Sequence, residues 1–122
     1  MPNRLENGEW LKPDQTLVSE NSQHKFAIRW DGNVAVYHNQ DCVWENLADK
    51  RFDIKGVHMQ EDGNLVLYTH NGEAVWATNT DGKGDSVYCI IQDDGNFVLY
   101  EEGDHPIWAS GTQREPEERF DY

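Results

Sequence analysis

Gln60, Asp62, Asn64, Val66 and Tyr68 stand two residues apart in the stretch QEDGNLVLY. Gln92, Asp94, Asn96, Val98 and Tyr100 repeat the series in QDDGNFVLY. Each set offers a carboxylate acceptor, two amides that donate and accept, a phenol and a small apolar surface. That inventory suits a sugar, whose adjacent hydroxyls each donate and accept while its C–H face packs against a methyl-bearing side chain. A hydroxyl bonded to the Asp carboxylate would be the strongest single contact, because the bond is charge-assisted. A worn third version, RWDGNVAVY, carries Arg29, Asp31, Asn33, Ala35 and Tyr37 at the matching places.

These side chains need strands and a tight turn to bring them together. Positions two apart share a face along a strand, so Leu65 and Leu67 point one way while Val66 and Tyr68 point the other. An apolar strand (KFAIR, GVHMQ, VYCIIQ) leads into Asp-Gly, a strong hairpin signal, and a second strand returns (NVAVY, NLVLY, NFVLY). The turn thus folds Gln back toward Tyr. Asp, Gly and Asn are also what any hairpin uses for its own ends. A bare hairpin scaffold accounts for them but not for Gln60 and Gln92, nor for a Tyr four residues past each Asn.

Each copy closes with a Trp-bearing strand (CVW, AVW, PIW), and Trp44, Trp76 and Trp108 recur at 32-residue intervals. The repeats run over about 17–48, 49–80 and 81–112, one domain over 1–112, with a charged tail at 113–122. No helix-length window sustains a 3.6-residue period. The expected class is all-β, three small antiparallel sheets about a pseudo-threefold axis. One Trp per repeat at a fixed phase fills the centre of such a core and is not expected to serve as a sugar platform. Trp10 and Trp30, outside that phase, are assigned to packing only.

The formal charge of −13 over 122 residues argues against nucleic-acid or anionic-membrane partners, which require Lys and Arg to neutralise phosphates. No apolar run is long enough to span a membrane, and MPNRLENGEW lacks a signal's apolar stretch. The expected location is cytoplasmic or non-classically secreted, or extracellular if a leader has been removed. Cys42 and Cys89 align with small or apolar residues of the other repeats and are expected as free, packed thiols; a bridge between repeats is the alternative. The histidines show no metal-like spacing, so neither metal nor cofactor is expected.

Gln-x-Asp-x-Asn-x-Val-x-Tyr, intact at 60–68 and 92–100, resembles the signature of the monocot mannose-binding (bulb-type, snowdrop-agglutinin-like) lectin family. The opening LKPDQTLVSEN and the segments VWATNT and IWASGT extend the resemblance along nearly the whole chain. It implies a β-prism of type II, three four-stranded sheets with the Trp residues toward the axis. It also implies a role for each site residue. Gln60, Tyr68, Gln92 and Tyr100 would address O3 and O4 of mannose. Asp62, Asn64, Asp94 and Asn96 would address the axial O2, and Val66 and Val98 would lie against the ring carbons. The first repeat departs from the pattern: Arg29 replaces Gln and Ala35 replaces Val. Arg29 is expected to pair with Asp31 and occupy a dead or much weaker site.

The function expected is multivalent recognition of mannose-rich glycans or glycoproteins through two working sites, without catalysis. Homodimerisation by exchange of the C-terminal strand, common in the family, is possible, with Phe120 and Tyr122 available to dock on a neighbour. The alternative is a β-prism used as a protein-interaction or cross-linking module. Glycoside hydrolysis is not expected: it needs two carboxylates flanking one bond, and each motif fixes one, because Glu61 and Asp93 alternate onto the other face.

Overall fold

The computed structural model describes residues 2–114, and the expected C-terminal tail, Phe120 and Tyr122 included, lies almost wholly outside them. The described residues form twelve strands. The first repeat supplies β4 (His24–Ile28), β5 (Val34–His38) and β6 (Asp41–Glu45). The second supplies β7 (Ile54–Met59), β8 (Leu65–Thr69) and β9 (Ala74–Ala77). The third supplies β10 (Tyr88–Ile91), β11 (Phe97–Glu101) and β12 (His105–Ala109). Ahead of them run three short strands, β1 (Arg4–Leu5), β2 (Trp10–Leu11) and β3 (Thr16–Val18).

Each short strand joins a different repeat. The sheets are β3-β4-β5-β6, β2-β7-β8-β9 and β1-β10-β11-β12, all antiparallel. The expected three four-stranded sheets are therefore present, and their fourth strands come from the N-terminal segment. Repeat patterning does not reveal this, because strands of two or three residues are too short to show a period.

Alternation sets which face is buried. Leu65, Leu67, Phe97, Leu99, Val34 and Val36 are fully buried inside, while Tyr37, Tyr68 and Tyr100 face outward and are half-buried. Phe26 stacks on Phe97 across two sheets, ring centres 3.8 Å apart. Trp44, Trp76 and Trp108 meet edge-to-face at 5.7, 5.8 and 5.8 Å, an equilateral triangle that marks the pseudo-threefold axis. Edge-to-face contact suits the ring quadrupoles, and the triangle packs against the apolar core.

The central hairpins share one geometry. The N–H groups of Arg29, Gln60 and Gln92 donate to the carbonyls of Asn33, Asn64 and Asn96 at 2.7, 2.9 and 2.9 Å, enclosing three-residue loops. The third loop residue is Gly32, Gly63 or Gly95, with φ of +85°, +92° and +92°. That is the left-handed residue which a three-residue hairpin needs after its type I turn. A side chain would also collide: a Cβ on Gly95 would lie 2.9 Å from the His24 ring, and one on Gly32 2.7 Å from the Arg51 carbonyl.

Two expectations about single residues require correction. Both cysteines are free, but only Cys89 is buried; Cys42 is exposed. Its partners in the alignment, Ala74 and Pro106, are exposed too, because all three lie on edge strands facing outward, where small does not mean packed. Trp30 is 70% exposed and contributes little to packing, since it is the first loop residue of its hairpin.

Candidate functional site

Three elements place each polar set: the hairpin, the strand after it, and the connector that leaves the Trp strand. The connector's backbone N–H groups reach back to the Asp carbonyl. Arg51 donates to Asp31 at 2.9 Å, Lys83 and Gly84 to Asp62 at 3.0 and 3.1 Å, and Arg114 to Asp94 at 2.6 Å. The Asp carboxylate in turn accepts the Asn N–H two residues on: Asn33 to Asp31 at 3.1 Å, Asn64 to Asp62 and Asn96 to Asp94 at 2.9 Å. The second carboxylate oxygen takes no part in this turn bond. A bulge recurs at one point in every sheet, where pairing with the Trp strand slips between Val36 and Tyr37, Leu67 and Tyr68, and Leu99 and Tyr100. Bulges re-aim side chains, and here each precedes the Tyr of a set.

The structure brings together all five residues of the second and third sets. Tyr68 Oη donates to Gln60 Oε1, and Gln92 Nε2 contacts Tyr100 Oη. Gln60 Nε2 also donates to both oxygens of Asp62, at 3.1 and 3.2 Å. Val66 and Val98 retain only 3% exposure and close the floor between Tyr and Asn. The Asp side chains are exposed and the Gln, Asn and Tyr side chains half-buried, so each set is an open patch on a sheet face.

The orientation of the Asn amide decides what these patches can do. Asn64 Oδ1 accepts from Thr78 Oγ1 and from the Thr80 N–H, both at 3.2 Å. Asn96 Oδ1 accepts from Ser110 Oγ, Gly111 N–H and Thr112 N–H at 3.2, 3.0 and 3.2 Å. Backbone N–H groups only donate, so the acceptor there must be the oxygen, and Nδ2 of both residues faces outward as a donor. Beside it stands a carboxylate acceptor. A donor and a strong acceptor side by side match one hydroxyl.

Thr78, Thr80, Ser110 and Thr112 hold this arrangement and are not among the residues expected from the signature. Thr80 and Thr112 donate to the Gly63 and Gly95 carbonyls at 2.6 Å. Thr78 and Ser110 accept the Leu65 and Phe97 N–H groups at 3.1 Å. The signal is present in the sequence, as a hydroxyl residue two and four places after Trp76 and Trp108, where Trp44 is followed by Asn46 and Ala48.

The first set is built differently. Arg29 lies 3.4 Å from Asp31, as expected, and also donates to Glu45 at 2.9 Å. Burial alone would raise the Asp31 pKa, but bonds from Asn33 and the Arg29 charge outweigh it and hold the carboxyl below its ordinary value. Asn33 is closed as well. Its Oδ1 accepts the Ala48 N–H at 2.9 Å and its Nδ2 donates to the Ala48 carbonyl at 3.0 Å, so the amide is engaged at both ends, and the residue is buried at 4% exposure. Ala35 is fully buried. Retention of Asp31, Asn33 and Tyr37 in the sequence therefore does not preserve the surface the other two sets present.

Among the described residues no group of His, Cys, Asp or Glu is placed to hold a metal ion. No protein-family model and no curated protein matches the chain. Solved structures do. A monomeric monocot mannose-binding lectin from Gastrodia elata is 34% identical with a TM-score of 0.82, covering 91% of this chain and 96% of its own. The mannose-specific agglutinin of snowdrop, Galanthus nivalis, in complex with methyl-α-D-mannoside, is 31% identical with a TM-score of 0.71, covering 93% and 99%. A Marasmius oreades lectin is 29% identical with a TM-score of 0.80, covering 92% of each chain. The sheets are those of a β-prism II, and with two relatives above 30% identity over almost their whole lengths, the chain belongs to the monocot mannose-binding, bulb-type lectin family.

Proposed function

We propose that this protein is a lectin that binds terminal mannose of mannose-rich glycans, without altering them, through two sites. One comprises Gln60, Asp62, Asn64, Val66 and Tyr68, the other Gln92, Asp94, Asn96, Val98 and Tyr100. The observation that carries this reading is the outward Nδ2 of Asn64 and Asn96 beside the Asp carboxylate, fixed by connector N–H groups. Such a pair fits the axial O2 of mannose. With O2 equatorial, as in glucose, both groups lose their partner, and an unpaired polar group costs about 1–3 kcal/mol. The snowdrop agglutinin's structure with a mannoside supports the choice of sugar.

Open, solvated patches bind weakly: millimolar affinity is only about −4 kcal/mol. Two sites on one rigid chain can raise avidity on clustered glycans by roughly a hundredfold or more. All three sheets are completed within the chain, β1 taking the fourth place beside β10, which supports a self-sufficient monomer over strand exchange. The first set acts as scaffold.

Titration calorimetry with methyl α-mannoside tests the reading, with methyl α-glucoside and the Asn64→Ala/Asn96→Ala variant as controls. Two sites per chain for mannose, lost in the variant, are expected. Three sites would show that the Arg29 set binds, and no heat from folded protein would reject the reading. That last outcome would favour a protein-interaction module. The exposed Trp30, Leu47 and Phe52 around the degenerate first set, at 70, 81 and 82%, are the observation behind this second reading.

A further inference from the structure

The two intact sets do not rest on the same support. Each hairpin glycine packs against the start of the leading strand of another repeat. Gly32 is backed by Ile54 and Gly63 by Val87: a Cβ on either glycine would lie 3.1 Å from Ile54 Cγ1 or Val87 Cγ2. Gly95, in the turn of the Gln92 set, is backed by His24 instead, at 2.9 Å from Cε1 and 3.0 Å from Nδ1. The three supports are equivalent in the fold. His24 pairs with His38 and Ile54 with Thr69, the residues that follow Tyr37 and Tyr68, and Val87 stands just ahead of Tyr88, which pairs with Tyr100. All three are buried, but two are aliphatic and the third is an imidazole.

More than this contact ties His24 to the Gln92 hairpin. Its backbone N–H donates to Ser19 Oγ at 3.0 Å, and Ser19 Oγ donates to Asn21 Oδ1 at 2.6 Å. Asn21 then holds Asp93 twice, its backbone N–H on Oδ1 at 2.9 Å and its Nδ2 on the carbonyl at 3.0 Å. The Thr112 carbonyl crowds Gly95 as well, so the hairpin, the connector that fixes Asn96 and the His24 ring meet at one point. On its other side the ring stacks with His38, centres 4.8 Å apart, and the two Nδ1 atoms lie 3.1 Å apart. At that distance one nitrogen donates and the other accepts. An imidazolium carries N–H on both nitrogens, so protonation of both rings would set two N–H groups against each other.

We infer that His24 is a positioning residue for the Gln92 site: its neutral imidazole seats the Asp93–Asn96 hairpin and its protonation unseats it, so the Gln92 site releases mannose in acid where the Gln60 site holds it. The inference rests on the mannose reading above. Burial first, and then the His38 charge, hold the seated ring below its ordinary pKa; Arg114 adds to the lowering, while the Asp93 backbone and the Asp94 carboxylate oppose it. A ring released to water returns to about 6.5. Acid therefore favours the released ring, and the binding-competent fraction falls as pH drops below about 6.5. Both sites carry the same Gln, Asp, Asn and Tyr, so titration of the sugar-facing groups themselves acts on both alike.

The test titrates methyl α-mannoside by calorimetry into two single-site proteins across the pH range. Asn96→Ala leaves the Gln60 site, and Asn64→Ala leaves the Gln92 site. Between about pH 7.5 and 5.5 the Gln92 site should lose roughly threefold to tenfold more affinity than the Gln60 site. His24→Gln and His24→Leu, the second giving the aliphatic type found at the other two supports, should each remove that excess. His38→Gln should reduce it only in part, because burial remains. His58 pairs with Val66 beside the Gln60 set, so the acid response of that site is read in the same His24 variants, where it should not change. Amide exchange gives a readout without sugar: on acidification Gly95 and Thr112 N–H should lose protection relative to Gly63 and Thr80, which make the matching bonds. Equal pH profiles at the two sites, an excess that persists in both His24 variants, or equal changes in protection would overturn the inference while leaving mannose binding intact. Failure of methyl α-mannoside to bind either single-site protein would overturn both.

Discussion

Thr80→Val tests whether the connector hydroxyls hold the site. Valine matches threonine in shape, so packing is kept and only hydrogen bonds change. Thr80 is 7% exposed; its Oγ1 donates to the Gly63 carbonyl at 2.6 Å and meets Thr78 Oγ1 at 2.8 Å. Losing both bonds costs about 1 kcal/mol each, and leaving the Gly63 carbonyl short of a partner adds about 1 more. The new methyl returns about 0.8 kcal/mol of burial, for a net loss of about 2 kcal/mol. With an unfolding entropy of about 2.1 cal/mol/K per residue over 122 residues, Tm should fall by roughly 8 °C. Asn64 keeps its bond from the Thr80 N–H but loses the brace behind it, so the Gln60 site should weaken by roughly threefold to tenfold. Calorimetric melting gives the first quantity, and sugar titration in the Asn96→Ala background the second. A Tm within about 2 °C of the parent together with unchanged affinity would refute the bracing role of Thr80.

Restoring the first set provides a second check. Arg29→Gln/Ala35→Val should leave the stoichiometry at two, read by calorimetry, because Asn33 remains tied to the backbone N–H and carbonyl of Ala48. Acid should weaken the fold through His24. Burial first, and then His38, whose Nδ1 is 3.1 Å away, hold its pKa below the ordinary value; Asp93, Asp94 and Arg114 complete its charged surroundings. The unfolded chain protonates at about 6.5 and the folded one only lower, so stability is full above about 6.5 and declines toward the folded value. Urea melts between about pH 8 and 5 should show that slope, and His24→Gln should remove it. A thiol reagent should label Cys42 in the native protein, whereas Cys89, fully buried with its thiol pushed up to about 12, should react only after unfolding.

Sequence periodicity was enough to specify the three hairpins, the Trp triangle and both five-residue sets. These are local facts: a strand shows its faces by alternation, a turn shows its glycine, and a repeat reports the same environment three times. Arg29 beside Asp31 was also legible, since Arg29 stands at the Gln position where the same turn begins, two residues from the Asp.

Tertiary structure alone decided the rest, and the reason is distance along the chain. The fourth strand of each sheet comes from an N-terminal segment too short to carry a pattern, and only its pairing with His58, Cys89 or Phe26 reveals it. Whether an Asn offers its amide N–H to a ligand depends on a connector some fifteen residues later, which takes the oxygen of Asn64 and Asn96 but both ends of Asn33. Cys42 and Cys89 look alike in alignment, yet one lies on an edge strand and the other in a centre. The sequence names the groups proposed to bind; the packing of distant segments sets which of their hydrogen bonds are left to give.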